Sequence, residues 1–543
     1  MEHATSHDLS YWPADQTEPF LEISIGDALT NAVERWENEV ALVEGVGGTD
    51  RRRWTYGELL TQSRKVAGVL LSRFRPGEHV AVWASNRPEW VQIELGAALA
   101  GITLVTVNPA YLASELKYVL KQSQASGIIV EPEYRGRDLA AVVVEVKPDL
   151  PFLREIISLT SWGDLVDGSS EFVALPRVEP GDIAQIQYTS GTTGFPKGAL
   201  LTHRGLANNG RIYAQVIGAR RGDVWVNPMP MFHTAGCGLV TLGALQTGGT
   251  HVLPPTFDPA LMLDLVESER GTLMSAVPTM MVRILDHPEL TSFDLSSWRV
   301  ATLGGAPVSA ELVRRIENTL RVKVGIGFGQ TEASPYITHT RENESRSGWQ
   351  LTVGRPMPQI EVKVADPQSG ETVPIGTLGE IWTRGSCVTK GYFDNEEATR
   401  QALTEDGWLR TGDLGSMASD GYLTIQGRMK EMIIRGGENV YPREIEEVLL
   451  SHPAVAGACV VGLPDAEWGE SIAAFIQLRA GIAEAESELT TFCRARLASY
   501  KTPRVWRFVD EFPQTASGKV QKYVLREQFL KEVRAGKSMD GAS

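Results

Sequence analysis

Between residues 27 and 130 short apolar runs alternate with longer amphipathic ones, and this alternation restricts the possible folds more than any other feature. "DALTNAVERWENEV" has helical spacing, "HVAVWAS" reads as a strand, and "PEWVQIELGAALAG" reads as a helix with Pro88 near its first turn. "TLVTVN", "ASELKYVLKQS" and "GIIVE" continue as strand, helix and strand. Strands separated by helices imply right-handed βαβ units and a parallel sheet. The rhythm resumes in "DVWVNPMP", "THVLPP", "TLMSAVP", "RVATLGG" and "KVGIGFG", with helical segments between them. Two α/β layers of similar make-up are the economical outcome. Ligands of such sheets lie at the C-terminal ends of the strands, which is where "PMPMFHTAG", "GGAP" and "GFGQTEAS" fall.

From about residue 353 the pattern changes. "IEVKVADPQSGETVPIGTLGEIWTRG" reads as two antiparallel strands around a Pro/Gly-rich turn. "YPREIEEVLLSHP" is a helix, "AGACVVGLP" and "IAAFIQLR" are strands, and "ESELTTFCRARLASY" is a second helix. The expected organisation is a large N-terminal domain over residues 1–429 and a small α+β C-terminal domain over residues 430–543. The large domain combines two α/β layered subdomains with a small antiparallel β piece.

A chain of 543 residues exceeds the usual single domain. Its formal charge of −15 opposes a nucleic-acid partner, which calls for a basic field. An anionic substrate must therefore be captured by local geometry. Cys237, Cys387, Cys459 and Cys493 are too dispersed for a zinc knuckle and suggest no disulfide framework. The N-terminus shows no basic head followed by an apolar run, and the most apolar stretch, residues 95–107, is too short to span a bilayer. A cytoplasmic enzyme without a transmembrane segment is expected.

"QYTSGTTGFPKGALLTHRGL", residues 187–206, is the most suggestive loop. It is not a P-loop: counting from Gly191, the second glycine arrives early at Gly194, Phe195 and Pro196 separate it from Lys197, and Gly198 stands where Ser or Thr belongs. The hydroxyls of Thr189, Ser190, Thr192 and Thr193 can nevertheless donate to anionic oxygens, and Gly191 and Gly194 allow close backbone approach. Thr331 and Glu332 follow a strand, where a carboxylate beside a triphosphate can hold Mg²⁺ or simply be a solvated loop acid. Asp413 in "RTGDLG" can accept two ribose hydroxyls or form a turn. Lys519 in "PQTASGKVQK", taken alone, reads as a solvated charge.

Together these segments change the reading. "YTSGTTGFPKG", "MFHTAG", "GGAP", "GFGQTE", "TRG…GYF", "GWLRTGDLG", "GRMKEMIIRGGENVYPREIE" and "PQTASGKVQK" occur in one order from about residue 25 to 530. The chain thereby resembles the adenylate-forming superfamily of acyl- and aryl-CoA synthetases, peptide-synthetase adenylation domains and beetle luciferase. The resemblance implies that a carboxylate attacks the α-phosphorus of ATP, giving an acyl-adenylate and pyrophosphate, and that coenzyme A then takes the acyl group. It implies that Thr189–Gly194 and Lys197 clamp the β- and γ-phosphates. Lys519 bridges the carboxylate and the α-phosphate, Glu332 ligates Mg²⁺ and Thr331 bonds the α-phosphate. Asp413 and Arg428 hold the ribose, Gly305, Ala306 and Pro307, with Phe328, form the adenine slot, and Gly329 and Gln330 also belong to the nucleotide site. His233 stands between nucleotide and acyl pocket, although as a bare feature it is equally a core histidine. The small domain is implied to be mobile about a hinge at Lys430, where many relatives have Asp, and Gly436 and Gly437 to line a pantetheine tunnel.

The segment "FHTAGCGLV" lacks the acid with which amino-acid-activating relatives pair the α-amine, and "GFGQTE" lacks the tryptophan of acetate-activating ones. The expected acyl walls, His233, Gly236, Cys237, Gly238, Gly304 and Ala333, are small or apolar apart from the histidine, and leave room for a chain. A medium- or long-chain fatty acid is favoured, with an aryl or alicyclic acid second. Without an obvious insert between residues 354 and 427, coenzyme A is preferred over a carrier protein as acceptor.

Overall fold

The apolar runs form strands because both of their faces are covered. His79–Trp83, Thr103–Val107 and Gly127–Val130 pair in parallel and are buried almost throughout, as runs such as "TLVTV" require. A computed structural model describes residues 8–16, 18–189, 196–341, 348–349, 352–465, 467–479, 481–482, 485–514 and 520–534. Among the described residues four larger sheets carry the fold. The first runs Lys197–Thr202, Ile183–Thr189, Thr103–Val107, His79–Trp83, Gly127–Val130, Glu155–Ser158, with only the first pair antiparallel. Pro88–Ala100 packs beside it, buried over nearly its whole length and ended by Gly101 in the left-handed region at φ 65°.

The second sheet has nine strands, and its central members Lys323–Gly329, Val300–Leu303, Leu273–Ala276, Val224–Val226 and Thr250–Leu253 are parallel. Val40–Glu44 pairs with Thr250–Leu253, so a strand from the first stretch of chain completes the second sheet. The helix Ile25–Trp36 before it opens with a capping box, in which Ser24 Oγ accepts the Asp27 N–H and the Asp27 carboxylate accepts the Ser24 N–H.

Ile360–Ala365, Gly379–Gly385, Leu409–Met417 and Leu423–Arg428 form the antiparallel piece, joined at one edge by Tyr11–Trp12. After Arg428 comes a 3₁₀ turn, Met429–Glu431. The last sheet then begins at Ile433–Arg435 and pairs through Gly469–Leu478 with Val455–Asp465 and Val505–Phe508. It has a core of its own around Ile433, Ile445, Leu449, Val460, Ile472 and Trp506. All four cysteines are buried and free. No helix among the described residues is long and apolar enough to cross a membrane.

Candidate active site

The antiparallel strands Ile183–Thr189 and Lys197–Thr202 set Thr189 opposite Lys197. Ser190, Gly191, Thr192, Thr193 and Gly194 lie outside the described residues. Glu332 reaches the same place from the second sheet, in the turn Thr331–Ala333 that follows Lys323–Gly329. Both Thr331 and Glu332 are buried. The Thr189 hydroxyl is 3.5 Å from Glu332 Oε1, and the Tyr392 hydroxyl donates to the same oxygen at 2.7 Å. Lys197 Nζ lies 5.1 Å from the centre of the Tyr392 ring. Burial raises the Tyr392 phenol above its ordinary value and the Glu332 charge adds to this, so the hydroxyl stays a donor. The Lys197 ammonium and the Glu332 carboxylate thus share one aromatic neighbour.

The fit to Mg²⁺ follows from the donor set. Among the described residues no three His, Cys, Asp or Glu side chains gather to enclose a metal. Both bonds to the Glu332 carboxylate reach Oε1, and none among the described residues reaches Oε2. One carboxylate with a spare oxygen suits an ion that completes its shell with water and substrate phosphates.

Gly304 and Gly305 follow the strand Val300–Leu303, and Gly305 takes φ 77°. Ala306, half-buried, and Pro307, exposed, follow this bend, while Phe328 is half-buried in the adjacent strand and packs on the main core. Gly329 is glycine for a local reason: a Cβ there would fall 1.9 Å from the Pro335 carbonyl oxygen. Gln330 N–H donates to that same oxygen at 2.9 Å. Asp413 and Arg428 are register partners on neighbouring strands, and Arg428 Nε donates to Asp413 Oδ1 at 3.1 Å. The Asp413 charge holds the guanidinium above its ordinary value.

His233 is half-buried in the turn before the π-helix Ala235–Thr241. The Ala235 N–H donates to His233 Nδ1 at 3.2 Å, which leaves the proton of a neutral ring on Nε2.

The small residues after His233 are less open than their size suggests. A Cβ at Gly236 would meet the Pro230 carbonyl oxygen at 2.3 Å, and one at Gly304 would meet the Tyr336 hydroxyl at 2.5 Å. Ala333 is fully buried, and Gly238 faces Leu206 and the Ser334 carbonyl. Cys237 belongs to a buried polar string: Gln187 Nε2 donates to Cys237 Sγ at 3.2 Å and to Gln185 Oε1 at 2.7 Å, and Gln185 Nε2 donates to Glu94 Oε1 at 2.9 Å. Burial pushes both the Cys237 thiol and the Glu94 carboxyl well up. At Gly236 and Gly304, therefore, protein atoms take the room that glycine leaves.

Gly436 and Gly437, at φ 60° and 88°, form the two-residue connection between Ile433–Arg435 and Glu438–Val440. Two consecutive positive φ angles in a tight hairpin account for both glycines. Lys430 occupies the turn Met429–Glu431, and Lys519 lies outside the described residues. Three participants escaped the sequence reading: Tyr392, Tyr336, and Asn209, whose Nδ2 donates to the Tyr336 carbonyl at 2.9 Å. Tyr392 belongs to "GYF", but nothing local in the sequence connects it to Glu332, 60 residues away.

The sequence pattern described as AMP-binding enzyme matches residues 29–393, and that described as AMP-binding enzyme C-terminal domain matches residues 444–519. Acyl-CoA ligase SID4 of Ajellomyces capsulatus is 38% identical over 545 residues, covering 94% of this chain and 92% of the relative. Medium-chain acyl-CoA ligase ACSF2, mitochondrial, of Mus musculus is 34% identical over 563 residues, covering 97% and 91%. The ATP-bound structure of MatB from Rhodopseudomonas palustris superposes with a TM-score of 0.85 at 30% identity, covering 93% of this chain and 99% of that one.

Proposed function

The chain belongs to the AMP-binding enzyme family and is an AMP-forming acid–thiol ligase that makes an acyl-adenylate with ATP and passes the acyl group to coenzyme A; from that premise we propose that its acid is a medium- or long-chain fatty acid and that Mg²⁺·ATP is its nucleotide. The observation that carries the site assignment is the meeting of Thr189, Lys197, Glu332 and Tyr392 at the ends of two sheets. Two anions must approach one another during adenylation, so the barrier is largely electrostatic. Lys197 offsets the β- and γ-phosphates, Thr331 bonds the α-phosphate, and Asp413 with Arg428 holds the ribose. Mg²⁺ at Glu332 Oε2 would supply further charge neutralisation. Lys519 joins the carboxylate to the α-phosphate. After adenylation the small domain, residues 430–543, turns about Lys430 and brings the Gly436–Gly437 hairpin towards the acceptor thiol.

The acid preference is supported by the absence of an acidic partner for an amine in "FHTAGCGLV" and by the likeness to a ligase named for medium-chain acids. Each buried methylene contributes about 0.8 kcal/mol in an apolar channel, so the affinity should rise with chain length until the pocket ends.

Two measurements test the reading. CoA-dependent AMP release should be fastest with straight-chain acids. Higher kcat/KM for aryl or alicyclic acids, or acceptance of a carrier protein in place of CoA, would replace this substrate assignment. Lys519→Ala should suppress acid-dependent ATP–pyrophosphate exchange by about a hundredfold or more and spare thioester formation from supplied acyl-adenylate. Near-normal exchange would remove Lys519 from the adenylation step.

A further inference from the structure

Residues 389–393 lie along the strand Lys197–Thr202. Lys390 N–H donates to the Leu200 carbonyl at 3.0 Å, Leu200 N–H to the Gly391 carbonyl at 2.9 Å, and Phe393 N–H to the Gly198 carbonyl at 2.8 Å. Gly391 has φ 125°, and a Cβ there would fall 2.7 Å from Thr399 Cγ2. Tyr392 N–H donates to Thr399 Oγ1 at 2.9 Å, so its backbone is held between that strand and the helix Glu396–Ala402. From this fixed base the side chain meets two groups brought by different elements: the Glu332 carboxylate, 2.7 Å from its hydroxyl, and the Lys197 ammonium, 5.1 Å from its ring centre.

We propose that Tyr392 is a positioning residue for metal–nucleotide binding, its hydroxyl selecting which Glu332 oxygen is left for the metal and its ring holding Lys197 towards the same triphosphate. The inference rests on the assignment of Glu332 and Lys197 made above. The terminal torsion of a glutamate is broad and nearly two-fold, so an unheld carboxylate presents either oxygen and wanders between them. A donor on Oε1 removes that freedom. Groups that orient a metal ligand in this way alter metal affinity by about 10- to 100-fold when removed. The ring face attracts Lys197 through its quadrupole, restricting an otherwise flexible four-carbon stem to the side where the phosphates come.

The test separates hydroxyl from ring. ATP binding without acid is measured by calorimetry across a Mg²⁺ titration for the wild type, Tyr392→Phe, Tyr392→Leu and Glu332→Gln. Tyr392→Phe keeps the ring, so it should raise the Mg²⁺ concentration for half-maximal effect by about tenfold while leaving ATP affinity in EDTA unchanged. Tyr392→Leu should shift the Mg²⁺ midpoint equally and also weaken ATP binding in EDTA. A merely structural loss would lower affinity without moving the Mg²⁺ midpoint. If Tyr392→Leu fails to fold, Lys197→Met replaces it in the EDTA arm, with the same loss expected. A Mg²⁺ midpoint unchanged in Tyr392→Phe overturns the proposal. If Glu332→Gln also leaves the midpoint unchanged, the metal assignment itself fails. If Glu332→Gln shifts it and Tyr392→Phe does not, only the role of Tyr392 is lost.

Discussion

Gly304→Ala should strain the mouth of the crevice through one atom of Tyr336. Gly304 lies outside the left-handed region, so alanine is acceptable to its backbone. The new methyl would fall 2.5 Å from the Tyr336 hydroxyl oxygen, 3.1 Å from the Gly327 carbonyl oxygen and 3.3 Å from Tyr336 Cε1. Comfortable contact needs about 3.5 Å, so the phenol must retreat by roughly 1 Å. It has little room to do so. Tyr336 is 8% exposed, its ring centre lies 5.4 Å from that of Tyr213 and 5.5 Å from that of His339, and Gly327 closes on it from the neighbouring strand. Overpacking of this kind costs about 1–3 kcal/mol. Tyr336→Phe deletes the clashing oxygen and leaves contacts of 3.1 Å and beyond, which small shifts relieve. That hydroxyl makes no hydrogen bond among the described residues, so Tyr336→Phe alone should change stability by less than about 1 kcal/mol. The double variant should therefore be more stable than the sum of the singles by at least about 1 kcal/mol. Urea unfolding of all four proteins at unchanged slope measures the cycle, and ATP affinity should follow the same order if the neighbouring Gly305 lines the adenine slot as proposed. Additive effects, within about 0.3 kcal/mol, would refute the claim that Tyr336 occupies the room left by Gly304.

Lys430→Pro should separate the half-reactions, because proline fixes φ near about −65° and removes an N–H inside the turn Met429–Glu431, where the proposed hinge would have to change conformation. Pyrophosphate exchange should survive while thioester formation falls by orders of magnitude; equal loss of both, or of neither, would place the hinge elsewhere. Acidification should destabilise the fold before most carboxylates titrate: burial lowers His203 to about 4, His251 to about 3 and His339 to about 4. The unfolded chain binds these protons near pH 6.5 and the native chain does not, so the neutral histidines' contribution is complete above pH 6.5 and is lost as pH falls towards 4. Each contributes a slope of up to about 1.4 kcal/mol per pH unit; a urea midpoint that stays flat from pH 7 to pH 5 would contradict this.

What the sequence by itself determined was what arises from neighbours along the chain. "HVAVW", "TLVTV" and "GIIV" read as strands, and Pro88 marked the first turn of the helix in "PEWVQIELGAALAG". The ordered segments named the chemistry because each carries its residue types at short spacing. The same locality explains what was hidden. Val40–Glu44 lies in the first stretch of the chain and hydrogen-bonds into the second sheet, since a strand's apolar pattern states that it is buried but not beside whom. A glycine announces a missing side chain, yet only packing shows that Tyr336 fills the space at Gly304 and the Pro230 carbonyl that at Gly236, or that a tight turn is what Gly436 and Gly437 serve. That the Cys237 thiol lies among Gln185 and Gln187 is likewise visible only after folding. Tyr392, Glu332 and Lys197 belong to three segments far apart in the chain, and their meeting is a property of the closed crevice, because side-chain contacts between distant elements exist only after the sheets have packed.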